Sequence, residues 1–209
     1  MHPVERRRSE EGWVHDLASA SGRQRHAIVE AAALDPRDGL ALSELVGLQL
    51  KDGNFPAARQ TVELALAAGA NHADTLALTA KYVSTFLGRP DEALSLMQRA
   101  FALNPHAPSW YALGEVYVCY YSRRFEAAIE AAPRATAGRS QTFCSVLSLA
   151  QLGRDAEMAA ARSELYALDP ELQIANDFAT LAIAPAAKEL LHEGMLKAGL
   201  LSNAVVLPL

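Results

Sequence analysis

The residues of this 209-residue chain best able to do chemistry are its six histidines and two cysteines. Their spacing leaves them little to do. His192-Glu193 lies in a helical pattern, but the residue four after His192 is Leu196, where a zinc protease would need a second histidine to close its ligand set. The pair is expected on a helix surface. His72 and Asp74 flank the start of another helix, where a carboxylate favours the positive end of the dipole, so capping is preferred to acid–base work. His106 falls in a turn and is expected to face solvent. Cys119 and Cys144 fit no disulfide framework and no metal-ligand spacing. Both lie in apolar helical patterns and read as buried, inert thiols. No G-x-S-x-G elbow, P-loop or dinucleotide glycine fingerprint occurs. The chain is therefore expected to have no catalytic residue, no metal and no cofactor, and not to be an enzyme.

Composition narrows the partners. Hydrophobic residues make up 51% and charged residues 21%, the balance of a folded globular chain. A net charge of −5 and a pI near 5.7 argue against a nucleic-acid surface, which needs a concentrated basic face. The single basic cluster, Arg6-Arg7-Arg8, is followed at once by Glu10 and Glu11 and reads as a solvated terminal segment. No apolar stretch follows Met1 as in a signal peptide, and no run of about 18 apolar residues could span a membrane. The expected compartment is the cytoplasm.

The elements that must position these residues are helices throughout. Residues 1–22 form a polar segment in which Trp13, Val14 and Leu17 stand at helical spacing. A helix then runs from Arg23 to Leu34-Asp35-Pro36, and another from Leu40 to Lys51 with Leu42, Leu45 and Val46 on one face. After the turn Asp52-Gly53-Asn54, Pro56 pre-sets the start of the next helix. Further helices are expected over 74–87, 90–103, 110–121, 125–132, 140–152 and 155–168. Ser122-Arg123-Arg124 reads as a turn about two residues longer than its counterparts, and Pro133 cuts the helix after it short. Beyond Glu171 the pattern changes: Ala182-Ile183-Ala184-Pro185 breaks one helix, and Ala186 to Lys197 makes another, ended by Gly199.

Gly88 to Tyr117 is the most informative stretch. Gly88 ends one helix, Asp91 and Glu92 open the next, the small Ala93 and Ala100 allow close helix approach, and Pro105 ends it. Trp110, Leu113, Gly114 and Tyr117 then spell W-x2-L-G-x2-Y, which resembles the first helix of a tetratricopeptide repeat (TPR). The period agrees: Pro36 to Pro105 spans 69 residues and Pro105 to Pro170 spans 65, two repeats each, against about 34 for one TPR. The resemblance implies an all-α, TPR-type right-handed solenoid of antiparallel helix pairs with a C-terminal capping helix. The expected organisation is a repeat array over 23–184, a capping helix over 185–200 and an apolar tail over 201–209. The part from Asp74 to Leu200 is also similar to TPR arrays of bacterial signalling proteins that carry nucleotidyl cyclase or winged-helix domains. The carriers are Asn104-Pro105-His106-Ala107-Pro108-Ser109-Trp110-Tyr111 and the closing helix from Glu189 to Leu200. No such domain stands ahead of this array, so those activities are not carried over.

The resemblance also implies a site. In TPR arrays the first helix of each pair lines a concave wall, which here would be built from Leu78, Tyr82, Phe86, Tyr111, Glu115, Phe143 and Leu147, with Thr85, Val118, Cys119, Ala150 and Gln151 beside them. The basic clamp for acidic peptide ends is disfavoured, because Ser43 and Gly47 stand at the matching positions. An aromatic and aliphatic wall suits an amphipathic helix or an extended apolar segment, although several of these rings could equally be core. The expected function is a non-catalytic protein-interaction scaffold with a protein or peptide partner. The alternative is a regulatory domain, a bacterial signalling accessory, that binds a small apolar ligand or its own tail. The tail residues Val205, Val206, Leu207 and Leu209 pack on their own array, stay disordered, or pair two copies as a homodimer.

Overall fold

The computed structural model describes residues 17–170, Leu172 and residues 183–201, and among these every regular element is helical. The order is α1 (Leu17–Leu34), α2 (Gly39–Lys51), α3 (Phe55–Ala68), α4 (Ala73–Thr85), α5 (Pro90–Leu103), α6 (Ser109–Tyr121), α7 (Phe125–Ala131), a 3-10 turn (Ala132–Arg134), α8 (Arg139–Gln151), α9 (Asp155–Leu168) and α10 (Pro185–Lys197). The expected bounds hold to within one or two residues from α2 onward. α1 is the exception, since it starts at Leu17 rather than Arg23. Trp13, Val14 and the 202–209 tail lie outside the described residues.

Local chemistry explains where the helices begin and end. Asp38 caps α2, accepting the backbone N–H groups of Leu40 at 2.9 Å and Ala41 at 3.1 Å. His72 caps α4 through Nδ1, which accepts from the Thr75 amide at 3.3 Å; the capping role expected for this end is filled by the histidine. Pro90 and Pro185 stand in the first turns of α5 and α10, where proline's missing donor costs nothing. The turns joining paired helices repeat one device. Gly53, Gly88 and Gly153 sit there at φ of 71°, 66° and 67°, and Arg123 takes the same place at 57°. The Ser122–Arg124 turn is thus no longer than its counterparts: three residues separate α6 from α7, as three separate α2 from α3 and α8 from α9.

The chain divides into two compact units, Met1–Ala68 and Gly69–Leu209. The first holds α1, α2 and α3, with Val46, Ala58, Val62 and Ala65 fully buried. Arg25 of α1 grips the Asp52 carboxylate with both guanidinium nitrogens at 2.7 Å. The second unit holds the antiparallel pairs α4/α5, α6/α7 and α8/α9, followed by α10. Its second helices bury one narrow stripe each, Ala93, Leu96, Met97 and Ala100 in α5 and only Met158 and Leu165 in α9. Its first helices are buried far more widely: α8 buries Thr142, Phe143, Cys144 and every residue from Val146 to Ala150. A helix apolar on both faces is covered on both. The second helices cover one face of α6 and α8; α10 covers much of the other.

Candidate functional site

α10 is built to lie on the first-helix face. Leu190, Leu191, Gly194, Met195 and Ala198 fall on one stripe at helical spacing, and all five are buried. Leu190, Leu191, Met195 and Ala198 share a core cluster with Cys119 and Tyr120 of α6 and with Phe143, Val146, Leu147 and Ala150 of α8. The Tyr120 hydroxyl donates to the Leu190 carbonyl at 3.0 Å. Burial pushes this phenol's pKa well up, so it stays a donor. Gly194 crosses directly over that hydroxyl: a methyl built there would fall inside contact distance of Tyr120 Oη and stand 3.5 Å from Leu147 Cβ. The chain enters the helix at Ala184, whose N–H donates to the Thr85 carbonyl of α4 at 2.8 Å.

A polar rim surrounds this stripe. Lys197 Nζ lies 2.7 Å from the Glu193 carboxylate and donates to Gln151 Oε1 at 2.8 Å. Arg123 stands 4.0 Å from Glu193, and Arg162 of α9 donates to the Ala198 carbonyl at 2.6 Å. The Lys197 hydrogen bond holds the Glu193 carboxyl below the usual carboxylate range. The capping helix expected over the last repeat is present, and its reach is greater than expected. It spans α8 and α6 and begins against the end of α4.

The residues expected on the concave wall fall into three groups. Phe143 and Leu147 lie beneath α10, 6% and 0% exposed. Tyr82 and Phe86 are nearly buried on α4 and its cap, with Lys81 Nζ 4.8 Å above the Tyr82 ring, and Leu78 is half-buried. Tyr111 and Glu115 belong elsewhere. The Tyr111 ring has no exposed surface, packs edge-on against Phe101 at 5.8 Å, and its hydroxyl bonds the Asp74 carboxylate. Burial and that carboxylate push its phenol up to about 12. Tyr111 is thus core between α4, α5 and α6. Glu115 accepts from Arg134 at 2.7 Å, whose guanidinium lies 6.0 Å over the same Phe101 ring. Trp110, the first letter of the repeat signature, is 36% exposed and packs on Tyr111 at 4.3 Å. Sequence reasoning missed Tyr120, Gly194 and Arg123. Two of the three left a signal: Gly194 is a glycine inside an apolar helical stripe, and Arg123 is an arginine where the neighbouring turns carry glycine.

Among the described residues no group of histidine, cysteine and carboxylate side chains could hold a metal ion. Burial pushes the Cys119 thiol up to about 11 and the Cys144 thiol to about 12, so both stay protonated and weakly nucleophilic. His106 is exposed. Among the described residues no helix is long and apolar enough to cross a membrane.

No family model matches the chain, and no curated protein matches it. Among solved structures it is similar to the crystal structure of PilW, a widely conserved type IV pilus biogenesis factor, at 17% identity and a TM-score of 0.60 over 98% of both chains. At that identity the likeness speaks for the fold, and it agrees with the helix pairs: the chain has an all-α, TPR-type helical-repeat fold closed by a C-terminal helix.

Proposed function

We propose that this protein is a non-catalytic interaction module whose second unit binds a polypeptide segment on the first-helix face of α4, α6 and α8. One observation carries the reading: that face already holds an amphipathic helix, α10, by an apolar stripe with a polar rim. A surface that accepts one helix in this way has the chemistry for helix-in-groove recognition. Tyr82, Phe86 and Leu78 extend it toward α4. PilW is a type IV pilus biogenesis factor, and a scaffold that gathers other proteins is in keeping with such work.

The regulatory alternative has an observation of its own, because a segment of the chain itself covers part of the wall. Affinity capture followed by mass spectrometry separates the readings. The scaffold reading expects a polypeptide whose affinity, measured by calorimetry, falls by at least about 1 kcal/mol on Tyr82→Ala, the mark of an interface residue that matters. Co-purification of a lipid-like molecule with no polypeptide would instead favour a ligand-binding regulator.

A further inference from the structure

The first turn of α4 is closed by a base that can take up a proton. Thr75 is the third residue of α4, one of the opening amides for which a helix supplies no acceptor of its own. Its N–H donates to His72 Nδ1 at 3.3 Å, and its hydroxyl lies 2.9 Å from the same nitrogen. Thr75 is 0% exposed, so water has little access to that amide. A methyl built on Gly69 would fall inside contact distance of the Thr75 side chain, which leaves the threonine little room to turn elsewhere. His72 itself is exposed. An exposed, titratable acceptor thus serves a buried donor.

Imidazole is the side chain whose ordinary titration falls between pH 5 and 8. The bond to the amide needs the lone pair at Nδ1, and a protonated ring has none to give. The Thr75 hydroxyl can rotate and accept from Nδ1–H instead. The backbone N–H cannot reverse, so two donors would then face each other. A cation is also disfavoured at a helix N-terminus. Arg99 of α5, which donates to the Ala70 carbonyl two residues before His72, adds to that opposition. Asp74 acts the other way, but its carboxylate is engaged by the Tyr111 hydroxyl of α6. That phenol is pushed up to about 12 and stays neutral throughout this range.

We infer that His72 is a proton-sensitive cap, coupling pH between 8 and 5 to the order of the first turn of α4. Neutral His72 closes the turn; protonated His72 releases the Thr75 amide and frays it. The cap is present above the imidazole titration and is lost as pH falls through it. Asp74 lies in the same turn, so fraying also loosens its bond to Tyr111, a link between α4 and α6. The helix that responds is the one carrying Leu78 and Tyr82.

The test is nuclear magnetic resonance on the full chain, following the Thr75 amide and the His72 ring in one titration from pH 8 to pH 5. Thr75 amide exchange, corrected for intrinsic rates, should quicken about fivefold across the range, the effect of losing a typical cap. The change should run in step with the His72 ring resonances. His72→Asn keeps a capping oxygen that does not titrate and should hold the corrected exchange level throughout. His72→Ala should exchange fast at both ends. If the ring titrates while Thr75 exchange stays level, His72 does not gate the turn and the inference is overturned. A ring that does not titrate in this range overturns it too. So does a His72→Asn variant that quickens as much as the unaltered chain, which would put the pH effect on another group. Should His72→Ala fail to fold, the unaltered chain and His72→Asn decide.

Discussion

Adjacent rings at 110 and 111 show how sharply residue roles divide on one helix. Trp110 carries the repeat signature but keeps about a third of its surface in water, while Tyr111 is fully buried with its hydroxyl on Asp74. Tyr111→Ala should cost about 3–5 kcal/mol, as for a large core aromatic. Tyr111→Phe, which removes only the hydroxyl, should cost about 1.5–3 kcal/mol, the range for a bond to a charged partner. Urea titrations of both variants check this; no loss for Tyr111→Phe would mean the Asp74 bond adds nothing. Gly194→Ala should cost about 1–3 kcal/mol by overpacking against the Tyr120 hydroxyl. Tyr120→Phe removes the obstructing oxygen, so the double variant should recover part of that loss, a coupling of about 0.5 kcal/mol or more. Additive losses in this cycle would place the strain elsewhere.

At the scale of elements, close helix crossings and the α10 rim respond to different agents. Ala93 and Ala100 of α5 are 0% exposed, so Ala93→Leu or Ala100→Leu should destabilise by about 1–3 kcal/mol, read from chemical melts. The rim responds to pH. Glu193 has a folded-state pKa below its ordinary value because Lys197, and less strongly Arg123, favours its charged form. A depressed carboxylate adds stability that is present above its unfolded pKa and is lost as pH falls through its folded value. The contribution to α10 docking should therefore hold at neutral pH and fade below about pH 4.5, the ordinary glutamate region. α10 amide exchange followed from pH 6 to about pH 3, corrected for intrinsic rates, should show that loss, and Glu193→Gln should remove the share that Glu193 contributes. Both carboxylate neighbours are half-exposed, so the effect should shrink in high salt.

For the whole molecule, the division at Ala68/Gly69 has a direct consequence. The second unit holds its own core cluster, including α6, α8 and α10, so a fragment of residues 69–209 should fold alone. It should melt cooperatively by circular dichroism and keep the slow exchange of α6 and α8. A non-cooperative melt would show that the first unit is needed for the fold. Glycines at the paired-helix turns and prolines at helix starts act on their own few residues, so among the described residues most helix bounds could be read before any packing was known. The W-x2-L-G-x2-Y spacing acts differently: it pointed to a repeat by resemblance, not through φ.

What the sequence determined by itself is local: which stretches are helical and where each stops. Period, caps and turn chemistry depend on residues within a few positions of one another, and these stand side by side in the chain. What only the tertiary structure decided is which buried face meets which partner. Tyr111 and Phe143 both looked like wall residues, yet one turns to Asp74 and Phe101 and the other lies beneath α10. That choice depends on contacts between residues 37 to 70 positions apart, where spacing along the chain carries no information about direction. The seat of α10 across the repeats is likewise a long-range solution. An apolar stripe on a final helix must be buried somewhere, and only the exposed face of α6 and α8 decides where.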